Sequence, residues 1–113
     1  MPFIELKTSV SIPKEKEIEL KSAFGQAIAL IPGKSEGWLM LNFCDNQKMW
    51  FKGSDEAAAM LEVKIYGGAS EKSYDNLTAK LTEVVSKALA VESGRIYIKY
   101  EEIEHWGYAG RNF

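Results

Sequence analysis

Ala58-Ala59-Met60-Leu61-Glu62-Val63-Lys64-Ile65-Tyr66-Gly67-Gly68 reads as a β-strand, Ala58 to Ile65, that stops in a glycine turn. From about Glu71 to Ala90 the pattern changes period, placing Leu77, Leu81, Val84, Val85, Ala88 and Leu89 on one helical face. Ser93-Gly94 closes that helix, and Arg95 to Glu101 returns to strand. The stretch is therefore the first arm of a β-α-β unit.

Working outward, the N-terminal half repeats the plan. A strand from Phe3 to Thr8 leads into a helix from about Pro13 to Ile31, and a second strand runs from Trp38 to Asp45. Pro13 is tolerated in a first turn, and Glu15 and Glu17 suit the positive end of the helix dipole. Leu20, Phe24, Ala27, Ile28 and Ile31 form the apolar face, and Pro32-Gly33 ends the helix. Phe3 and Trp38, like Leu61 and Ile96, stand 35 positions apart. The expectation is one α/β domain over residues 1–113, with internal repeats at about 2–45 and 58–101. Right-handed crossovers make the strands within each unit parallel, so the units join into one four-stranded mixed sheet with both helices on one face.

Trp38-Leu39-Met40-Leu41 and the Met60 to Ile65 strand carry apolar residues on both parities, the mark of a sheet covered on both sides. Two helices cover only one side, so the other is expected to meet copies of the same chain. Between the units, Met49-Trp50-Phe51 reads as a short edge strand or a patch pairing with a neighbour.

The totals exclude several function classes. Of 113 residues, 46% are hydrophobic and 27% charged, with a formal net charge of -2. That is an ordinary globular balance with no basic excess for nucleic acid. No run reaches a membrane span, and no basic-then-apolar leader opens the chain. A cytoplasmic location is expected, and any export would be non-classical. The one cysteine, Cys44, reads as a small buried hydrophobe in its strand. His105 is the only histidine and has no ligand-spaced partners, so neither a metal nor a cofactor is expected. Glu101, Glu102 and Glu104 read as a solvated strand end, and Gly67-Gly68 as a tight turn, since neither a dinucleotide fingerprint nor a Walker sequence accompanies it.

Pro2 is the first candidate for chemistry. Once Met1 is removed it is a secondary amine held at a sheet edge, and an apolar setting beside a cation would make it basic near neutral pH by disfavouring the ammonium. Read alone, it could equally be a harmless start to an edge strand.

Met-Pro-Phe-Ile at the start, Pro-Gly-Lys after the first helix, Gly-Gly before the second, Arg95-Ile96-Tyr97-Ile98-Lys99-Tyr100 and a Gly-aromatic-x-Gly-x-x-Phe ending together resemble the macrophage migration inhibitory factor family of the tautomerase superfamily, over essentially the whole chain. The resemblance implies a homotrimer whose sheets line a central barrel, with active sites between subunits. It implies an isomerase, a keto-enol tautomerase akin to phenylpyruvate tautomerase, acting on a small keto or enol acid. Pro2 would be the catalytic base and Lys34 the carboxylate anchor. The Val63 N–H would meet the substrate, and Tyr97 would come from a neighbouring subunit. Lys99, where well-known members carry asparagine, would add a cation. Phe3, Trp38, Trp106 and Tyr108 would form an apolar wall. Ala57-Ala58-Ala59-Met60 replaces the Cys-x-x-Cys of the vertebrate cytokine, so its thiol-disulfide activity is not expected. The alternative implied by the same family is a cytokine-like factor that binds a protein receptor, with vestigial tautomerase activity.

Overall fold

The computed structural model describes all residues from Met1 to Phe113. The chain runs β1 (Pro2–Thr8), α1 (Lys14–Ala27), β2 (Met40–Cys44), β3 (Ala59–Tyr66), α2 (Glu71–Leu89), β4 (Ile96–Ile103) and a terminal hairpin of β5 (Gly107–Tyr108) and β6 (Arg111–Asn112). The main sheet has the order β2-β1-β3-β4. Within each unit the strands are parallel, and the units meet through the antiparallel pair β1 and β3. Pro2 stands opposite Ile65, which stands beside Glu102, so the ends of three strands share one end of the sheet.

Local chemistry sets the helix limits. Ser70 caps α2, its hydroxyl accepting from the Ser73 N–H at 3.1 Å, and Ala90 in the left-handed region stops it. The first helix is shorter than its sequence pattern. After Ala27 it tightens into a 3-10 turn, Ile28–Leu30, and Ile31 is extended, as a residue preceding proline must be. Gly33, at φ +81°, then reverses the chain toward Lys34.

One face of the sheet packs on the helices. Ile4, Leu6, Leu61, Val63 and Ile65 meet Leu20, Phe24, Leu77, Leu81 and Val85 in one core. Removing a side chain as large as the fully buried Phe24 from such a core costs about 3–5 kcal/mol.

The other face differs from the sequence expectation. Burial alternates strictly along β1 and β3, and the centre of the open face is a lattice of charge. Glu62 lies 2.9 Å from Lys7, 3.6 Å from Lys99 and 3.8 Å from Lys64, while Glu5 pairs with Lys7 and Glu101 with Lys64 and Lys99. Apolar residues on this face stand toward its ends: Phe3 and Met40 at one, Met60 and Tyr97 at the other. Apolar runs in the sequence mixed these end residues with core residues of the opposite parity. Cys44 belongs to the open side too, partly exposed, its thiol 3.9 Å from a Glu5 carboxylate oxygen.

Trp38 lies in a 3-10 turn, Glu36–Trp38, ahead of β2 rather than in it. Met49-Trp50-Phe51 forms no strand beyond a single bridge between Phe51 and Ser54. That loop is instead held by Arg95, which donates to the carbonyls of Phe51, Ser54, Glu56 and Ala57 at 2.9–3.1 Å.

Candidate active site

At the sheet end where Pro2, Ile65 and Glu102 align, a cavity of about 630 Å³ opens beside the N-terminus. Pro2, Phe3, Trp38, Met40, Trp106 and Tyr108 line it. The 3-10 turn presents Trp38 from one side and the terminal hairpin presents Tyr108 from the other. Their rings meet edge to face at 5.2 Å, a favoured aromatic geometry. Phe113 folds back on the hairpin, its N–H donating to the Trp106 carbonyl at 3.0 Å and its ring lying 5.6 Å from that of Tyr66.

Met1 is present in the structure, so the Pro2 nitrogen is an amide here. The Met1 carbonyl accepts from the Tyr66 N–H at 3.0 Å. The Met1 amine is held below the ordinary N-terminal value, first by desolvation and then by the Lys34 ammonium beside it. Lys34 is fixed in that place by donating to the Tyr66 carbonyl at 2.9 Å. Tyr66 thus offers both its main-chain N–H and its carbonyl to this corner.

The structure brings Pro2, Phe3, Trp38, Trp106 and Tyr108 together in the cavity wall and sets Lys34, which is not part of that wall, beside the Met1 amine. It leaves three other candidates apart. Val63 is 1% exposed, faces the core, and pairs with Ile4 and Tyr100 well inside the sheet. The main-chain N–H beside the N-terminus is that of Tyr66, not that of Val63. Tyr97 stands beside Met60, itself opposite Lys7. That is five residues along β1 from Pro2, about 17 Å at strand rise. There it is 61% exposed and packs edge to face on Phe51 at 4.7 Å. Lys99 projects onto the open face, paired with Glu62 and Glu101. Within one chain, neither Tyr97 nor Lys99 reaches the cavity.

The residue that sequence reasoning missed is Tyr66. No local signal marks it, because its N–H meets the Met1 carbonyl as the next step of the antiparallel β1–β3 pairing.

Comparison with known proteins agrees with this architecture. The family model for macrophage migration inhibitory factor (MIF) matches residues 1–112. The chain is 26% identical to the MIF homolog of Trichuris trichiura over 116 aligned positions, covering all of both chains. It is also 26% identical to the Brugia malayi homolog over 104 positions, covering 92% of this chain and 90% of that one. Among solved structures, Leishmania major MIF2 superimposes with a TM-score of 0.94 at 30% identity, over 100% of this chain and 97% of that one. The MIF-like protein of Entamoeba histolytica shares the fold, with a TM-score of 0.87 at 18% identity, over 99% and 98% of the two chains. This fold is that of the tautomerase superfamily. The chain belongs to the macrophage migration inhibitory factor family.

Proposed function

We propose that the Met1-processed protein is a keto-enol tautomerase of aromatic 2-keto acids such as phenylpyruvate. The observation that carries this reading is the desolvated amine beside Lys34 at an aromatic-lined cavity. Loss of Met1 would put the Pro2 secondary amine in this corner, where the same apolar surroundings and the same cation disfavour its ammonium.

In the enol-to-keto direction the neutral Pro2 nitrogen takes the proton of the enol O–H. The C–C double bond then delivers its electron pair to a proton returned from Pro2, forming the C–H bond as the carbonyl forms. Lys34 holds the substrate carboxylate and offsets charge on the enolate-like transition state. The Tyr66 N–H, released by Met1, donates to the carboxylate or carbonyl oxygen. Trp38, Trp106, Tyr108 and Phe3 receive the aromatic ring. Tyr97 and Lys99 join the site from a neighbouring copy in a homotrimer, which suits their distance from Pro2 within one chain.

The test compares phenylpyruvate ketonisation by processed protein, verified by intact mass, with its Pro2→Ala variant. A loss of at least 100-fold, the scale of general base catalysis, is expected. Equal background rates in both would sink the tautomerase reading for this substrate and favour a partner-binding role.

A further inference from the structure

The turn Tyr66-Gly67-Gly68 carries the peptide that borders Pro2 and Lys34, and it is tied down from a direction the proposed chemistry does not use. Glu102, at the end of β4, lays its carboxylate against Gly68. A Cβ at Gly68 would fall 2.7 Å from Glu102 Oε2 and 3.0 Å from its carboxyl carbon, so any larger residue there would push the carboxylate aside. Tyr74, in the first turns of α2, donates its hydroxyl to the same Oε2 at 2.6 Å. The Tyr74 ring rests 4.6 Å from that of Tyr100. The Tyr100 hydroxyl in turn reaches Thr78 at 2.8 Å and the Tyr74 carbonyl at 3.2 Å. Gly67 adds an N–H to the Ile103 carbonyl at 3.1 Å. The Tyr74 hydroxyl thus holds the Glu102 carboxylate in packing contact with Gly68, while the turn's own hydrogen bond to β4 is the main-chain one from Gly67.

The geometry points to Glu102 as a positioning residue that, set by Tyr74, clamps the Gly67-Gly68 turn and so fixes the Tyr66 peptide that holds Lys34 beside the N-terminal amine. The inference deepens the reading of Pro2 as base and rests on it for its catalytic meaning. Its structural content stands on the contacts alone. The Tyr74 phenol is pushed up to about 12, first by desolvation and then by the bond to Glu102, so it stays a donor across the working pH range. If the clamp is released, the turn gains freedom and Lys34 loses a fixed acceptor. Each of these changes favours the ammonium form of Pro2.

Two variants release the clamp while keeping the Glu102 charge. Tyr74→Phe removes one hydroxyl and keeps the ring. Gly68→Ala drives the carboxylate away by contact. In processed protein labelled with ¹⁵N-proline, the Pro2 amine is titrated by NMR without substrate, beside a thermal melt. The expected result is an upward move of the Pro2 midpoint in both variants, together with a fall of about threefold or more in kcat/KM at mildly acidic pH and little change at alkaline pH, where the amine is already neutral. A Pro2 midpoint unchanged in Tyr74→Phe overturns the inference, whatever the melting temperature or the Gly68→Ala result. Because the titration needs no turnover, an inactive parent protein would sink the tautomerase reading while leaving the clamp to be decided by the midpoint.

Discussion

Lys34 donates its ammonium to the carbonyl of Tyr66 at 2.9 Å, across 32 positions of sequence. The bond ties the turn after α1 to the turn before α2, and it fixes a cation beside the N-terminal amine. Lys34→Ala should raise KM for phenylpyruvate at least tenfold, as expected for losing a charge-assisted contact to the carboxylate. It should also move the acidic limb of the kcat/KM profile upward. The sign follows from charge: a nearby cation penalises the ammonium, so its removal lets Pro2 hold its proton to higher pH and widens the inactive acidic range. A pH-rate profile with an unmoved acidic limb would separate Lys34 from the amine.

The N-terminal residue is itself a switch for the proposed chemistry. With Met1 attached, the proline nitrogen has no basic lone pair, and the Met1 carbonyl takes the Tyr66 N–H. Inserting alanine between Met1 and Pro2 should bring ketonisation down to the Pro2→Ala level while leaving the melting temperature within a few degrees of the parent. Retained activity would show that the base lies elsewhere.

Glu62 is the hub of the open face. Its side chain is 14% exposed and has three lysines within 4 Å. Its carboxyl lies below the ordinary range chiefly because of the hydrogen bond from Lys7. A depressed carboxyl contributes stability that is complete above its unfolded value, near the ordinary 4.5, and is lost as pH falls through the lower folded value. Glu62→Gln should therefore destabilise the protein by about 1 kcal/mol near neutral pH. Parent and variant should converge in acid. Urea melts at neutral and acidic pH would show whether the difference closes.

Much of this was legible in the sequence because it depends on local signals. Two equal β-α-β spans, the proline behind Met1 and the lysine after Pro32-Gly33 are all readable without knowing which strands pair. Tyr66 was not legible, because its place opposite the N-terminus depends on the antiparallel register of β1 and β3, which aligns Pro2 with Ile65 and buries Val63 opposite Ile4. The two-sided apolar sheet failed for a related reason. Met40 and Met60 share the open face, and Leu61 and Val63 the core face, but only pairing reveals that Glu5, Lys7, Glu62 and Lys99 fill the ground between them. The short first helix reflects tertiary context, since Ile28 and Ile31 remain buried beyond Ala27, the last α-helical residue.

Arg95 holds its loop through main-chain acceptors alone. Four carbonyls, those of Phe51, Ser54, Glu56 and Ala57, take its guanidinium N–H groups, and the guanidinium carbon stands 5.3 Å from the Phe51 ring centroid. Lysine offers a point charge instead of a planar fork, so Arg95→Lys should not rescue what Arg95→Ala loses. Both should cost about 2 kcal/mol, since carbonyls lose their donors in a partly buried loop. A chemical denaturation series comparing the two variants would check this, and a lysine variant as stable as the parent would show that charge alone suffices.

Tyr97 supplies the sharpest test of assembly. It packs on Phe51 at the end of the sheet far from Pro2, so any part it has in catalysis must be played in another copy's cavity. Pro2→Ala and Tyr97→Ala proteins should each be impaired when pure. Unfolded together in equal amounts and refolded into head-to-tail rings, they should regain about one quarter of parental activity, because each site then draws its proline and its tyrosine independently from two neighbours. Refolding each variant separately and mixing afterwards provides the control. If the co-refolded sample matches that control, Tyr97 either acts only within its own chain's fold or does not act at all, and the shared-site arrangement fails even if Pro2 proves to be the base.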